Sequence, residues 1–323
     1  MKKIMLLPLD ERPCNYDFTS LMVGDTNFQV VKPPYDILGK KKVTGDVDKI
    51  WDWLCANAPY CDAAIISIDT LVYSSILASR LHYLETDEMQ ERLSRLRELK
   101  KINPNLKLFA FSLIMRCPQY SSSDEEPDYY EDWGREIFRH GYLNHRVNLS
   151  IAYKKEITEL EGVNKRLPQE FLDDYLTRRE KNLTINKMAI DLTKEQVIDF
   201  LIIPQDDSSL YGFTAKDQQV IRQYIKDSKQ QFRVYMYPDA DAVANVLTVR
   251  YINEVSGKRP MVYVKHASGL GSTVVPLYED RIVSETIKYQ IMAAGGLLAS
   301  SVAEADIIVM VNMPSAHPIE HDS

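Results

Sequence analysis

Apolar runs recur along the chain at residues 4–9, 28–31, 63–68, 106–115, 200–203, 234–237, 261–264 and 307–311. Each is continuously apolar, not alternating, which is the pattern of strands covered on both faces. Helix-period segments lie between them. Thr86 stands where it can cap a helix that stacks Met89, Leu93 and Leu96 on one side, and Asn103-Pro104 stops it. Thr214 and Asp217 have capping-box spacing ahead of Val220, Ile221, Tyr224 and Ile225. Strands alternating with helices predict right-handed crossovers and a parallel sheet, an α/β fold. Eight runs of repeated β-α units favour a TIM-type barrel, while an open doubly wound, Rossmann-like sheet is built from the same units.

Residues 120–198 break this rhythm. They contain a Tyr/Trp-rich acidic stretch around residues 123–133 followed by charged helical sequence, and no strand pattern. A structureless connection of that length is uncommon, so the segment reads as a helical insertion. Placed after a strand C-terminus, it is either a lid over a site or a solvated structural helical pair. The whole chain, 1–323, reads as one α/β domain carrying that insertion.

Composition sets limits on partners. Basic residues number 39 and acidic residues 46, a net charge of -7, so there is no global basic footprint for nucleic acid. No apolar stretch reaches the roughly 20 residues that span a bilayer. The N-terminal apolar run is closed by Asp10, Glu11 and Arg12 before it matches a signal peptide. Cys14, Cys55, Cys61 and Cys117 lack the spacing of a redox or zinc motif. A cytoplasmic protein with a small-molecule or sugar substrate, and without nucleic acid or membrane partners, is the expectation. No cofactor is predicted, although Mg²⁺ or Mn²⁺ remains an option.

Polar residues follow nearly every apolar run. Asp10-Glu11-Arg12 closes the first, Asp69 the third, and Arg116 the fourth. Gln205-Asp206-Asp207 closes the fifth, Asp239 and Asp241 follow the sixth, Lys265-His266 closes the seventh, and Asn312 the eighth. In a parallel α/β architecture these ends share one edge, where ligands bind. Asp206 and Asp207 are the sharpest pair, because neighbouring carboxylates repel and one holds its proton while the other ionises. Successive strand residues point to opposite faces, so both acids face one pocket only if the strand ends between them. The competing reading is an Asx turn.

Asp10 and Glu11 are further catalytic candidates, or simply acids near a helix N-terminus. Arg12 and Arg116 can clamp an anionic or hydroxylated substrate, with Asn15, Asp69, Tyr211 and Asp241 as further binding residues. For Arg80, neutralising the acids is favoured. Asp239 reads as the N-cap of a helix starting at Ala240. Lys265 and His266 form an acid/base or anion-binding pair.

Three blocks carry a resemblance. Pro8-Leu9-Asp10-Glu11-Arg12-Pro13-Cys14-Asn15, Asp69-Thr70-Leu71-Val72-Tyr73 through Ser79-Arg80, and Asp206-Asp207-Ser208-Ser209-Leu210-Tyr211-Gly212 resemble the motifs of an uncharacterised bacterial family of unknown function, DUF4127. The resemblance runs the whole chain and implies no established reaction. Where that pattern has a Gly pair, this chain has Ser74-Ser75; where it has Gly and Glu, this chain has Asp239 and Ala242, while Asp241 fits. The pattern also continues past residue 323, which implies a truncated C-terminus.

Three functions compete. Paired carboxylates with nearby aromatics point to a hydrolase of a carbohydrate or glycoconjugate, with Asp207 as acid and Asp206 orienting a substrate amide or the reacting water. Asp10, Asp69 and Asp206 as oxygen ligands of a divalent ion would instead make a metal-dependent hydrolase or phosphoryl-transfer enzyme. The third is a non-catalytic domain that binds a small ligand.

Overall fold

The computed structural model describes residues 1–313; the expected truncated end lies outside the described residues. The chain starts with β1 (Lys2–Leu7), the short helices α1 (Pro13–Tyr16) and α2 (Phe18–Met22), and β2 (Phe28–Val31). After α3 (Val47–Asn57) comes β3 (Ala63–Ser67), then α4 (Ile68–Tyr73), α5 (Ile76–Leu81), α6 (Thr86–Ser94) and α7 (Leu96–Ile102). β4 (Lys107–Phe111) leads into α8 (Tyr130–Asn148), α9 (Lys154–Arg166) and α10 (Gln169–Lys194). Next are β5 (Phe200–Ile202), α11 (Phe213–Asp227), β6 (Val234–Tyr235) and α12 (Val243–Ser256). The last part holds β7 (Met261–His266), α13 (Val283–Ala293), β8 (Leu297–Leu298) and β9 (Ile307–Val311).

Every apolar run contains a strand, and the fold is α/β with parallel sheets. The first six runs form one sheet in the order β2-β1-β3-β4-β5-β6, and the last two join the short β8 in a separate sheet, β8-β7-β9. All pairs are parallel. Parallel strands with helical crossovers are what a barrel and an open doubly wound sheet share, and this is the feature the structure displays.

Alternation across the sheet explains the unbroken apolar runs. Met5, Leu7, Ala64, Ile66, Leu108 and Ala110 pack on one face against Ile50 and Leu54 of α3, Leu96 and Leu99 of α7, and Ile185 and Ala189 of α10. Their neighbours Ile4, Leu6, Ala63, Ile65, Phe109 and Phe111 pack on the other face against Val243, Leu247 and Tyr251 of α12. Successive residues point to opposite sides and both sides are covered, so no position is left for a polar residue.

No strand interrupts residues 112–199. The C-terminal half of α10 belongs to the main core, while its start packs with α8 in a separate cluster around Tyr130, Ile137, Leu172, Tyr175 and Phe213. Among the described residues no helix is long and apolar enough to cross a membrane.

Three expected caps form differently. Thr86 is the first residue of α6 and makes no cap, with Glu85 before it. Gly212, at φ +113°, precedes α11, so Thr214 sits inside the helix and its hydroxyl donates to the Met115 carbonyl (3.4 Å). Asp217 is drawn to Arg179 (2.5 Å) instead of the helix start. Asp239 does not open α12, which begins at Val243; its Oδ1 accepts from the Ala242 amide (3.1 Å) one turn earlier.

Just past the end of α10 stands Gln196, exposed and left-handed at φ +64°, after which the Val197 amide donates back to the Leu192 carbonyl (2.9 Å). Glycine adopts this conformation without the Cβ clash that costs other residues roughly 1–2 kcal/mol. Gln196→Gly is therefore expected to raise the unfolding free energy by about 1 kcal/mol in urea denaturation, and a loss would contradict the left-handed turn.

Candidate functional site

The parallel sheet delivers its strand ends to one edge, and Gln205 marks where the chain leaves it. Gln205 makes the last parallel bridges, to Ile114 and Pro238. Asp206 follows, and Asp207 turns the chain with φ +42°. The strand ends before both acids rather than between them, and both carboxylates lie within 4 Å of the same guanidinium.

That guanidinium belongs to Arg116, which is buried. Its Nε donates to Glu126 Oε1 (2.7 Å), Nη1 to Asp207 Oδ2 (2.9 Å) and Nη2 to Glu125 Oε2 (2.7 Å). Arg80, also buried, donates from Nη2 to Asp206 Oδ2 (2.7 Å) and from Nη1 to Glu125 Oε2 (3.2 Å). Arg12 forms a second group. It holds Asp10 through Nε (2.8 Å) and Asp241 through Nη2 (2.6 Å), while Asn15 Nδ2 donates to Asp10 (2.9 Å) and Asp241 (3.0 Å). Three guanidiniums thus meet six carboxylates, and a small cavity of about 70 Å³ lined by Arg12, Arg80, Arg116, Glu125, Asp206 and Asp241 joins the groups.

Burial leaves several of these acids inclined to hold protons. Desolvation raises the carboxyl of Asp10, with Asn15 and Arg12 offsetting part of the effect. Asp207 is raised by burial and then by the neighbouring charge of Asp206. Burial likewise raises Asp239 and Glu279. Asp69 is pushed up to about 6 by desolvation, against the Leu113 amide that donates to it (3.0 Å). The Arg116 guanidinium is held charged by Glu126 and Asp206 despite its burial.

Two larger cavities open beside the pair. One, of about 660 Å³, runs between Asp207 and the aromatic side chains of Tyr120, Phe138, Tyr142 and Tyr278. The other, of about 400 Å³, is walled by Asp206, Asp207, Asp239, Asp241, Thr286 and Gln290. Among the described residues, no lysine, arginine or histidine lines either cavity.

The predicted residues separate into three sets. Asp206, Asp207, Arg12, Arg116 and Asp241 meet at these cavities. Asp10, Asn15 and Asp69 sit behind them and hold their neighbours: Asp10 and Asn15 fix Arg12 and Asp241, and Asp69 binds the Leu113 amide. The remainder lie elsewhere. Glu11 accepts from the Lys41 amide (2.9 Å), and Tyr211 packs its ring under Arg146 (4.8 Å). Lys265 and His266 lie in β7 of the second sheet and Asn312 directly follows β9, and His266 lines a different pocket with Lys288 and Leu298. Glu125, Glu126 and Glu279 were not foreseen. The first two lay in a recognised acidic run, whereas nothing local marks Glu279.

Asp10, Asp69 and Asp206 do not form a metal-ligand set. Their carboxylates turn to Arg12, to the Leu113 amide and to Arg80, and among the described residues no three His, Cys, Asp or Glu side chains are grouped to hold a metal ion.

A family model described as a protein of unknown function, DUF4127, matches residues 4–322. No curated protein matches the chain.

Asp69 generates a pH prediction. Its pKa rises on folding from 3.8 to about 6, so the folded chain binds the extra proton between these values. Stability from this group is full below pH 4 and is lost as pH rises to 6, by about 3 kcal/mol. Asp69→Asn, which still accepts from Leu113, is expected to remove this decline, measured as the variant-minus-wild-type difference in denaturation midpoint from pH 4 to 7. A pH-independent difference would contradict it.

Arg116 gives a second. Arg116→Met leaves Glu126 buried with little compensation and is expected to cost about 3–5 kcal/mol at pH 7. Adding Glu126→Gln should recover most of that loss in a double-mutant cycle; strict additivity would contradict the pairing.

Proposed function

The chain belongs to the DUF4127 family, and we propose that it is a hydrolase acting on a carbohydrate or glycoconjugate. The observation that carries this reading is Asp207. Its carboxyl is raised by burial and by Asp206, and it opens onto a cavity of about 660 Å³ with aromatic walls. A carboxyl raised in this direction is better suited than an ordinary one to protonate a leaving oxygen. Aromatic faces suit the apolar faces of sugar rings, and a cavity of this size lies within the range of small-molecule sites. Asp206, held by Arg80 at 2.7 Å, would orient a substrate amide or the reacting water.

Phosphoryl transfer is less well supported. Phosphate needs cationic donors or a metal, but among the described residues no basic side chain lines either larger cavity, and Arg12, Arg80 and Arg116 already hold carboxylates. A purely ligand-binding role would not call for a raised carboxyl at Asp207.

The test is release of aglycone by the full chain from aryl glycosides of neutral hexoses and N-acetylhexosamines, with glucuronides and aryl phosphates alongside. Turnover of neutral glycosides is expected, with none of the anionic substrates. Asp207→Asn should lower kcat/KM by about 10²–10⁴-fold and remove the alkaline limb of the pH profile, because the acid works only while protonated. No release from any glycoside would overturn the reading.

A further inference from the structure

From the way the two larger cavities meet, we propose that Glu279 is the second catalytic carboxylate, set across from Asp207 where an aromatic subsite adjoins a polar one. The inference rests on the hydrolase reading and adds a residue to it. The cavities share only Asp207, Leu277, Tyr278 and Glu279 among their walls. A ligand that occupies both passes this boundary, and Asp207 and Glu279 are its two ionisable side chains besides the Tyr278 phenol.

The backbone fixes their approach. Ser208 donates to the Tyr278 carbonyl through its amide (2.8 Å) and its hydroxyl (3.3 Å), tying the segment after Asp207 to the one before Glu279. Asp207 at φ +42° and Tyr278 at φ +70° are both left-handed, as is Asp239 at φ +96°. Eight non-glycine residues have positive φ among the described residues, and three of them line the 400 Å³ cavity. Strain of this kind persists only where surrounding contacts over-determine it.

Each carboxyl spends one oxygen on being held. Asp207 Oδ2 accepts from Arg116, and Glu279 Oε2 accepts from Thr286 Oγ1 (2.7 Å) on α13. The other oxygen of each has no hydrogen-bond partner among the described residues. Burial raises both groups.

In the step this geometry suits, the glycosidic C–O bond breaks as Asp207 gives its proton to the leaving oxygen. The oxygen of water bonds to the anomeric carbon while Glu279 takes one of its protons. One water is consumed, and solvent returns each carboxyl to its starting state.

The experiment uses the full chain and aryl glycosides that the wild type cleaves, with leaving groups from dinitrophenol to phenol. Glu279→Gln keeps the side-chain shape and the Thr286 acceptor, and its folding is checked by denaturation. It is expected to lower kcat by about 10³-fold across the whole leaving-group series and to remove the acidic limb of the pH profile. Asp207→Asn should lose far less on dinitrophenyl than on phenyl substrates, since a good leaving group needs no proton. Wild-type kcat in folded Glu279→Gln, or a loss confined to poor leaving groups, overturns the role of Glu279 and leaves the hydrolase reading standing. Absence of glycoside turnover by the wild-type chain overturns the hydrolase reading itself.

Discussion

The Arg116 guanidinium is the point on which the site's geometry depends. Removing a guanidinium from water costs several kcal/mol, and that cost is offset only when its donors all find well-placed acceptors. Arg116 satisfies all three nitrogens with carboxylates from two separate segments, Glu125 and Glu126 on the loop before α8 and Asp207 after β5. That demand folds the acidic loop inward and holds the insertion's first turn over the strand ends. Arg80 repeats the arrangement one step nearer β3, sharing Glu125 and reaching Asp206. The acidic loop before α8 is therefore fastened to the site by charge, whereas α10 and the sheet are held by apolar burial.

Backbone strain is distributed to the same end. Ser74 and Asp239, two of the three positions where the resemblance leads one to expect glycine, stand at φ +85° and +96°, whereas the third, Ser75, is extended. Glycine adopts these angles freely and other residues do not. This chain compensates with side-chain bonds that glycine lacks: Ser74 Oγ accepts from the Gly45 amide (2.9 Å), and Asp239 Oδ2 accepts from Gln290 (2.8 Å). At 239 the substitution also adds a carboxyl to the polar cavity, so the departure from the family pattern changes the ligand surface as well as the turn.

What was legible in the sequence follows from the range of the forces involved. The strands were readable because two-sided burial removes polar residues locally, and the Asp206-Asp207 pair because the strand end is punctuated by Pro204 and by Ser208-Ser209. The division into two sheets was not readable. Residues 307–311 look as apolar as residues 4–9, yet Ile307, Ile308 and Met310 are exposed in β9. Periodicity reports burial preference and not which sheet a strand joins. Glu125 and Glu126 sat in a run that reads as solvated until a buried arginine is known to face it. Tyr211 looked like a sugar platform, but Arg146 stacks over its ring. Glu279 depended on the Ser208–Tyr278 contact, 70 residues apart in the chain, which no local pattern encodes.

The charge of the site then limits what can enter it. Arg12, Arg80 and Arg116 face acids on the protein, and among the described residues no basic side chain lines the two larger cavities. An anionic ligand entering there would give up its hydration for a surface of carboxylates and aromatic rings, a loss that nothing on the walls offsets. A neutral, hydroxyl-rich ligand faces no such penalty. On the proposed reading, its hydroxyls would donate to carboxylates that already have arginine partners, and its apolar faces would meet Phe138 and Tyr142. The ion pairs that hold the site together would then also set its selectivity, because an arginine committed to a protein carboxylate is lost to an incoming anion.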